Sequence, residues 1–572
     1  MIPFPKLTAC LAVSVMLPGA TPKDTTFQAL AKALVEESLR NSPEFATVMG
    51  DHRWDDRLAD FSASGFNTQL AWARHMVHLL EAIQPNALTP ENRVDRAILL
   101  DNLHATIQDL AERQSWRRNP MLYNPGGAID NLLSRDFAPA SQRLASVKGR
   151  LLQVPQVLAA ARANLTNPPR IYTETAIQQF QGTLGLVRDE VTVAASQAGC
   201  KEELAPAQAV ATKALEDFIS WMKGDLLPRS HGDFRVGAAA FRKQLRTTLS
   251  SSLTPEQILD RAERSLKDTR REMAEVARPL FTIWFPDRTE KDDRIIIKAV
   301  LDRIAQKHPD NDHIVALANR DLAEATAFVR SHDLVTIPST PVKIKVMPEY
   351  ARGFSVAYCD APGPLETNGT TFFAISPTPA DWSKARVESF FHEYNDAMVA
   401  DLTVHEAMPG HYLQLSLSNA FRGQNQVRTI FSSGLFAEGW AVYAEQTMAR
   451  AGFGGPEVHL EQLKMRLRVA INAILDQKIH TKGMTKPEAI ALMRDEGFQE
   501  EGEAVGKWTR ACLSSTQLST YFVGASEMDD LRGAAETKAK REGKPFDLRA
   551  FHDQLLSYGT PAPKFVRYLM KL

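Results

Sequence analysis

The stretch T-V-H-E-A-M-P-G-H, from Thr403 to His411, decides how this chain is organised, together with E-G-W-A from Glu438 to Ala441. Each stretch lies in a segment whose apolar residues recur every three or four positions, as on one face of a helix. The two stretches supply imidazoles and carboxylates, which are common ligands of zinc in proteins. The sequence therefore predicts a helical protein built around one zinc ion.

The spacing of the two histidines differs from that of an ordinary helical zinc motif. Residues four apart on a helix lie about 40° apart around its axis, whereas residues six apart, such as His405 and His411, lie roughly 120° apart. Pro409 has no N–H for the carbonyl of His405 and its ring clashes with that carbonyl, so the helix must bulge or break. Because Gly410 tolerates backbone angles closed to other residues, a loop of about two extra residues can return His411 to the face of His405.

The predicted ligands are His405, His411 and Glu438. A catalytic zinc site usually has three protein ligands and an open fourth position for water, and two histidines with one glutamate are a standard set. Glu406 adjoins His405 and is the predicted general base that takes a proton from the activated water. Glu445 lies seven residues after Glu438, within about 20° of the same helical face, and either orients a ligand imidazole or serves the structure alone.

Other residues near these motifs are assigned ordinary structural roles. His392-Glu393 is a second His-Glu pair, with Asp396 four positions after the histidine, and the sequence assigns it no metal. A surface or packed histidine is the simpler interpretation of such an isolated pair. Trp440 and Tyr443 are interpreted as core aromatics rather than substrate contacts.

Four motifs together resemble the bacterial family called domain of unknown function 885. They are TVHEAMPGHYLQ, EGWAVYAE, STYFVG and FHDQLLSYGTPAP. The resemblance spans most of the mature chain and is most specific between Val404 and Glu445. It implies a zinc metallopeptidase, often secreted or lipid-anchored, with a mostly helical fold similar to helical carboxypeptidases and dipeptidyl carboxypeptidases. Peptide bonds are the substrate that this resemblance implies.

The family motifs map onto this chain without a mismatch at the predicted metal site. The matched positions are His405, Glu406, His411 and Glu438. The later tyrosine–glycine motif of the family maps to Tyr521 and Gly524. A phenol there is able to donate a hydrogen bond to the oxyanion that develops during peptide hydrolysis. The resemblance therefore makes Tyr521 a second predicted catalytic residue.

Two positions depart from the family pattern. Tyr412 replaces a histidine that commonly follows the second metal ligand, a change that leaves the three predicted ligands intact. Ala525 replaces a basic residue that often follows the glycine, which puts in doubt a grip on a substrate carboxylate at that position. Arg532, about two helical turns on, is the alternative cation for that role.

The N-terminal residues 1–20 have the order of a short secretory signal peptide. Lys6 precedes an apolar run that ends in small residues near Ala20. This order predicts export to the periplasm or the medium, and an apolar arm packed on the body is the alternative. The tetrad LTAC resembles a lipoprotein attachment box, but too few residues precede Cys10 for a normal hydrophobic stretch, so we predict no lipid anchor.

Composition argues against several classes of protein. Lys and Arg number 67 and Asp and Glu 68, interspersed to a net charge of −1, so a surface for nucleic acid is not expected. The four cysteines are widely spaced and predict neither a disulfide scaffold nor a thiolate metal site. No later run reaches the roughly 18 apolar residues of a membrane span. A peptide or a small amide is the expected partner, and the oligomeric state stays open.

The spacing of apolar residues and the composition of the segments predict a mainly α, two-lobed helical body. Residues 21–335 are predicted as a helical N-terminal lobe and residues 336–572 as the metal-binding lobe, within one continuous family-like domain. β-branched and aromatic runs between residues 334 and 376 predict a small β element near the cleft. Thr371–Ser376 is the candidate strand to pair with an extended substrate, and a structural hairpin with V-K-I-K-V is the alternative.

The sequence as a whole predicts a zinc-dependent hydrolase, most simply a peptidase similar to carboxypeptidases or dipeptidyl carboxypeptidases. Two alternatives stay open. One is a metallohydrolase of a non-peptide amide or ester, which uses the same activation of water. The other is a non-catalytic extracytoplasmic metal-binding protein. A structural zinc normally has four protein ligands and no need of Glu406, which favours catalysis.

Overall fold

The computed structural model describes residues 22–347, 356–366, 369–379 and 382–572. Helices make up 72% of the structure and a three-stranded sheet supplies the β element, which confirms the predicted mainly α class. Within the described ranges, no helix has the length and apolar character needed to cross a membrane. The predicted signal peptide, residues 1–20, lies outside the described residues.

The first half of the chain is helical throughout. Its helices are α1 (Pro22–Asn41), α2 (Pro43–Met49), α3 (Ala63–Glu81), α4 (Pro90–Ile107), α5 (Ser115–Arg118), α6 (Gly126–Ser134), α7 (Ala140–Asn164), α8 (Arg170–Gly185), α9 (Val191–Gln197), α10 (Lys201–Trp221), α11 (Gly237–Thr247), α12 (Pro255–Trp284), α13 (Asp293–Ile304) and α14 (Ile314–Ser331). Several of them continue into short π or 3₁₀ turns.

A small sheet separates these helices from a second helical half. Its strands are β1 (Val342–Val346), β2 (Ala357–Asp360) and β3 (Thr371–Ile375). The helices that follow are α15 (Lys384–Glu393), α16 (Asp396–Glu406), α17 (His411–Ala420), α18 (Val427–Ile430), α19 (Gly434–Arg450), α20 (Gly455–Lys482), α21 (Lys486–Ala491), α22 (Glu501–Leu513), α23 (Ser519–Arg541), α24 (Leu548–Leu556) and α25 (Pro563–Leu569).

The two largest hydrophobic cores hold most of the helices that concern the site. One lies among α7, α8 and α10 and includes Val147 and Phe180. The other runs from α12, α13 and α14 through the sheet to α16, α19 and α20, and includes Val300, Phe373 and Trp440. Helices on both sides of residue 335 therefore share one core. The division of the chain at that residue stays a prediction.

The sheet corrects one expectation about substrate binding. β3 is the middle strand, parallel to β1 and antiparallel to β2. Both edges of β3 are thus already hydrogen-bonded, so the prediction that Thr371–Ser376 pairs with a substrate is wrong. The alternative of a hairpin between β1 and β3 is also wrong, because two parallel strands cannot be joined by a tight turn. The sequence missed β2, which is only four residues long.

Candidate metal centre

The chain breaks between the two histidines of the H-E-A-M-P-G-H motif. α16 ends at Glu406 and α17 begins at His411, with a cis peptide bond before Pro409. The N–H of Gly410 donates to the carbonyl of Val404, 2.9 Å away. This bond spans six residues where a helix spans four, so the turn holds two extra residues. The break is the one that the proline predicts.

Gly410 is required by a close backbone approach. A Cβ atom at this position would lie 1.9 Å from the carbonyl oxygen of His405 and 2.4 Å from that of Val404. Both neighbours are main-chain atoms that cannot rotate away. Any other residue at position 410 would therefore push α17, and His411 with it, away from the end of α16.

The elements that carry the candidate ligands begin at well-defined caps. Asn395 precedes α16, and its Oδ1 accepts the N–H of Met398 at 3.1 Å. Ser433 precedes α19, and its Oγ accepts the N–H of Phe436 at 3.3 Å. Such caps satisfy backbone donors that the first helical turn leaves unpaired. They fix where each helix starts, and so where its ligand residue lies.

Trp440 ties α19 to the turn between the histidines. Its side chain is 1% exposed, and its Nε1–H donates to the carbonyl of Pro409 at 2.8 Å. The sequence interpretation of Trp440 as a core aromatic is therefore incomplete. The one signal in the sequence for this hydrogen bond is an indole two residues after Glu438, because buried indole N–H groups usually find an acceptor.

We expect Trp440→Phe to weaken both folding and zinc binding. The phenylalanine leaves the buried carbonyl of Pro409 without its donor, at a cost of about 1–3 kcal/mol in the free energy of unfolding. The turn that places His411 also loses its anchor. Denaturant unfolding and zinc competition with a chromogenic chelator measure the two effects. Trp508→Phe, in the separate core of α22, is the control and should leave zinc affinity unchanged.

α19 is held against α23 by a contact between two glycines. A Cβ on Gly439 would lie 2.5 Å from the carbonyl carbon of Gly524, and one on Gly524 would lie 2.3 Å from the carbonyl oxygen of Leu435. The helices therefore approach as closely as two backbones allow. This crossing adjoins Glu438 and gives Gly524 a packing role.

The structure brings His405, His411 and Glu438 together. The Oε2 atom of Glu438 lies 3.6 Å from Nε2 of His405 and 3.4 Å from Nε2 of His411. One donor atom from each residue lies within 4.8 Å of both others. Atoms bound to one tetrahedral zinc at about 2.0–2.2 Å lie about 3.3–3.6 Å apart. The three side chains thus have the spacing of zinc ligands.

The electrostatics of this cluster also suit a cation. Within the described part of the chain, Oε2 of Glu438 is buried without a hydrogen-bond partner. Burial alone would raise the pKa of Glu438, but the adjacent imidazoles of His405 and His411 hold that pKa well below its ordinary value. The buried oxygen is therefore a carboxylate oxygen, which a bound metal would satisfy.

Glu445 and Asp401 lie behind His405. Oε1 of Glu445 accepts a hydrogen bond from Nδ1 of His405, which leaves Nε2 of the ring to face Glu438. Asp401, four residues before His405 on the same face of α16, is buried. Burial and the charge of Glu445 raise the pKa of Asp401 well above its ordinary value. Burial also raises the pKa of Glu445, which the hydrogen bond and charge of His405 oppose. The sequence missed Asp401, although its spacing was visible.

We expect Glu445→Gln to lower zinc affinity by about 10–100-fold, the range typical of groups that orient metal ligands. The amide has no negative charge to stabilise the Nδ1–H of His405. Competition with a chelator of known affinity measures the change. Glu527→Gln is a matched control, because Glu527 is also buried but bonds to Ser251, at 2.6 Å. Unchanged affinity in Glu445→Gln would remove Glu445 from the site.

Glu406 follows His405 directly and is 8% exposed. The helix that carries Glu406, α16, contacts β2. Burial, followed by the charges of Glu406 and Asp360, raises the pKa of the Cys359 thiol on β2. The carboxylate of Glu406 is therefore close enough to β2 to act electrostatically on that thiol.

Two predicted residues have other partners in the structure. The hydroxyl of Tyr521 accepts a hydrogen bond from Arg510 at 3.2 Å. Arg532 pairs with Glu536 at 2.8 Å. No hydrogen bond joins Tyr521 or Arg532 to the three-residue cluster within the ranges that the structure covers. Tyr412 also points elsewhere, since its hydroxyl donates to the carbonyl of Thr340.

A buried histidine, His552, forms a hydrogen bond with Tyr443 of α19. His552 accepts the hydroxyl of Tyr443 at Nε2, 2.9 Å away, and donates from Nδ1 to the carbonyl of Leu334 at 2.7 Å. Burial lowers the pKa of His552 to about 4. Its ring is therefore neutral in the folded protein near pH 7.

This shift makes the stability of the metal-free protein depend on pH. Below the ordinary pKa of 6.5 the unfolded chain binds a proton at His552, whereas the folded chain does so only near the pKa of about 4. The free energy of unfolding should therefore fall by about 3 kcal/mol between pH 6.5 and 4. Urea unfolding across this range measures the fall. His552→Gln should flatten the dependence, and the exposed His75→Gln should not.

Two proteins of known structure resemble this chain. One, a candidate lipoprotein of unknown function from Shewanella oneidensis, is 33% identical over 96% of this chain and 100% of that one, with a TM-score of 0.82. Another, a candidate lipoprotein from Colwellia psychrerythraea, is 17% identical over 96% and 99%, with a TM-score of 0.79. An M32 carboxypeptidase from Deinococcus radiodurans R1 is 13% identical over 89% and 94%, but its TM-score of 0.33 does not establish a shared fold. No curated protein matches the chain.

The family model described as "Bacterial protein of unknown function (DUF885)" matches residues 43–570. This range includes every candidate ligand and nearly the whole described structure. The chain therefore belongs to the DUF885 family, as its motifs had indicated.

Proposed function

We propose that this protein is a zinc-dependent hydrolase that cleaves peptide bonds. The main support is the buried Oε2 of Glu438, which accepts no hydrogen bond from the described residues and lies 3.6 Å from Nε2 of His405 and 3.4 Å from Nε2 of His411. His405, His411 and Glu438 would hold the zinc. Three protein ligands leave a position open, as in catalytic rather than structural zinc sites.

The residues of the chain divide the chemistry among them. Bound zinc lowers the pKa of water toward neutrality and polarises a carbonyl. Glu406 takes the proton that the attacking water loses and delivers it to the leaving nitrogen, so its carboxylate is unchanged after each turnover. Tyr521 would donate its hydroxyl hydrogen to the oxyanion. The hydroxyl oxygen accepts a hydrogen bond from Arg510, so its hydrogen remains available for this role. Glu445 keeps the Nδ1 proton of His405 in place.

The position of β2 supports a role in holding the substrate. β2 contacts α16, and in the described ranges its outer edge pairs with no other strand. An extended peptide could add to that edge through main-chain hydrogen bonds. The strand proposed to pair with the substrate is therefore β2 rather than β3. This mode of binding gives affinity with little dependence on side-chain identity.

Export from the cytoplasm is part of the proposal. The charged, apolar and small residues of positions 1–20 support a signal peptide. The two similar proteins described as candidate lipoproteins also support export, and they make Cys10 a residue to test for lipid attachment. Radiolabelled palmitate incorporated by wild type but not by Cys10→Ala would overturn our expectation of an unanchored protein.

The proposal is tested by removing the metal with a chelator and restoring it with zinc. A mixed peptide library read by mass spectrometry should be cleaved before removal, uncut after it, and cleaved again on restoration. The pattern of products also distinguishes release of single residues, release of dipeptides and internal cuts. Parallel assays with esters and non-peptide amides detect the other hydrolase class. Cleavage of those alone would overturn the assignment to peptides.

A further inference from the structure

We propose that His308, Glu388 and His392 form a second zinc site, distinct from the one around His405. Glu388 and His392 lie one turn apart on α15, so their side chains share a face of that helix. His308 comes from the segment between α13 and α14. The site would therefore link two parts of the chain that are distant in sequence.

The donor atoms have the spacing that zinc requires. Oε1 of Glu388 lies 3.5 Å from Nε2 of His308 and 3.2 Å from Nε2 of His392. One donor atom of each residue lies within 4.8 Å of both others. These separations are close to the roughly 3.3–3.6 Å between ligands of a tetrahedral zinc. Two imidazoles and a carboxylate suit zinc better than calcium or magnesium, which prefer oxygen ligands.

His308 is already oriented for binding a metal. Its Nδ1 donates to the carbonyl of Pro309 at 2.8 Å, which leaves the lone pair of Nε2 directed at Glu388. Its ring stacks on Phe391, with centroids 6.1 Å apart and planes 8° apart. A backbone carbonyl on the second ring nitrogen is a common support for a histidine ligand. The ring thus loses little freedom when zinc binds.

Two acidic residues that follow His392 in the sequence are already paired with cations and are not available to this site. Glu393 points inward to Lys464, at 3.0 Å, and to Arg468. Asp396 lies 3.6 Å from Lys307. By contrast, the side chains of Glu388 and His392 are 61% and 43% exposed. An ion from solution can reach them directly and keep water in its remaining position.

The two proposed sites cannot share one ion. His405 lies near the C-terminal end of α16, and His392 lies just before its N-terminal end. α16 has 11 residues, so it is about 16 Å long. Each site must therefore bind its own zinc, and each can be removed without the other.

Zinc titration of variants tests the second site without any assay of catalysis. In the His411→Ala background, which removes a ligand of the first site, we expect one zinc per chain at the second site. Adding His392→Ala or Glu388→Gln should lower that affinity more than about tenfold, because even groups behind the ligands contribute about 10–100-fold. Calorimetric titration with zinc chloride gives the stoichiometry and the affinity.

A matched control is His313→Ala in the same background. His313 also lies close to an acid, Asp310 at 2.6 Å, and is 74% exposed. It should leave the zinc affinity unchanged. Equal zinc binding by His411→Ala with and without His392→Ala would overturn the proposal, as would no binding by His411→Ala alone. Because both tested side chains are exposed, misfolding of the variants does not confuse the result.

Discussion

Replacing Glu406 by glutamine is expected to lower kcat for peptide cleavage by about 10²–10⁴-fold, the usual contribution of a general base. The amide keeps the size of the side chain but cannot accept a proton from water. Zinc content should stay that of wild type, because the ligands His405, His411 and Glu438 are untouched. The variant therefore separates binding of the metal from use of it.

Peptide hydrolysis and elemental analysis of the same preparation measure this prediction. Glu324→Gln is a suitable control, since Glu324 is exposed on α14, pairs with Arg320 and loses the same charge. That variant should keep full activity. Turnover by Glu406→Gln at the wild-type rate, with zinc present, would show that another group takes the proton.

Replacing His411 by alanine is expected to remove zinc from the first site and to abolish hydrolysis. Loss of one of three protein ligands should weaken zinc by more than about 100-fold, since changes behind the ligands already cost about 10–100-fold. The side chain is 13% exposed, so some loss of packing accompanies the loss of metal. Circular dichroism at low temperature checks that the variant is folded.

Competition with a chromogenic chelator measures this loss. His459→Ala is the matched control, because His459 lies 3.6 Å from the carboxylate of Glu272 and is not one of the three ligands. It should bind zinc as wild type does. Wild-type affinity in His411→Ala would mean that the break at Pro409 does not bring this histidine to a metal.

The part of the site that the sequence predicts depends on local geometry. Pro409, which lacks an N–H, and Gly410 after it predict that α16 ends, and helical spacing then predicts which residues share a face. The break between Glu406 and His411 in the structure follows from this reasoning. The same spacing put Glu445 on the face of Glu438, where its carboxylate meets His405.

The parts that the sequence does not predict depend on contacts between distant segments. The bond from Trp440 to Pro409 and the approach of His308 to α15 exist only after tertiary packing. The residues of a strand likewise do not specify which strands pair with it. The sequence therefore could not show whether β3 is a middle strand or an edge strand of the sheet. A four-residue strand such as β2 is too short for its periodicity to stand out.

Zinc content and peptide cleavage should be measured together on wild type, Glu406→Gln and His411→Ala, because these three proteins separate binding of the metal from its use in hydrolysis. We expect equal zinc in wild type and Glu406→Gln, one zinc fewer per chain in His411→Ala, and cleavage by wild type alone. Equal zinc in all three proteins would contradict the metal site. Cleavage by Glu406→Gln at the wild-type rate would contradict the mechanism built on it.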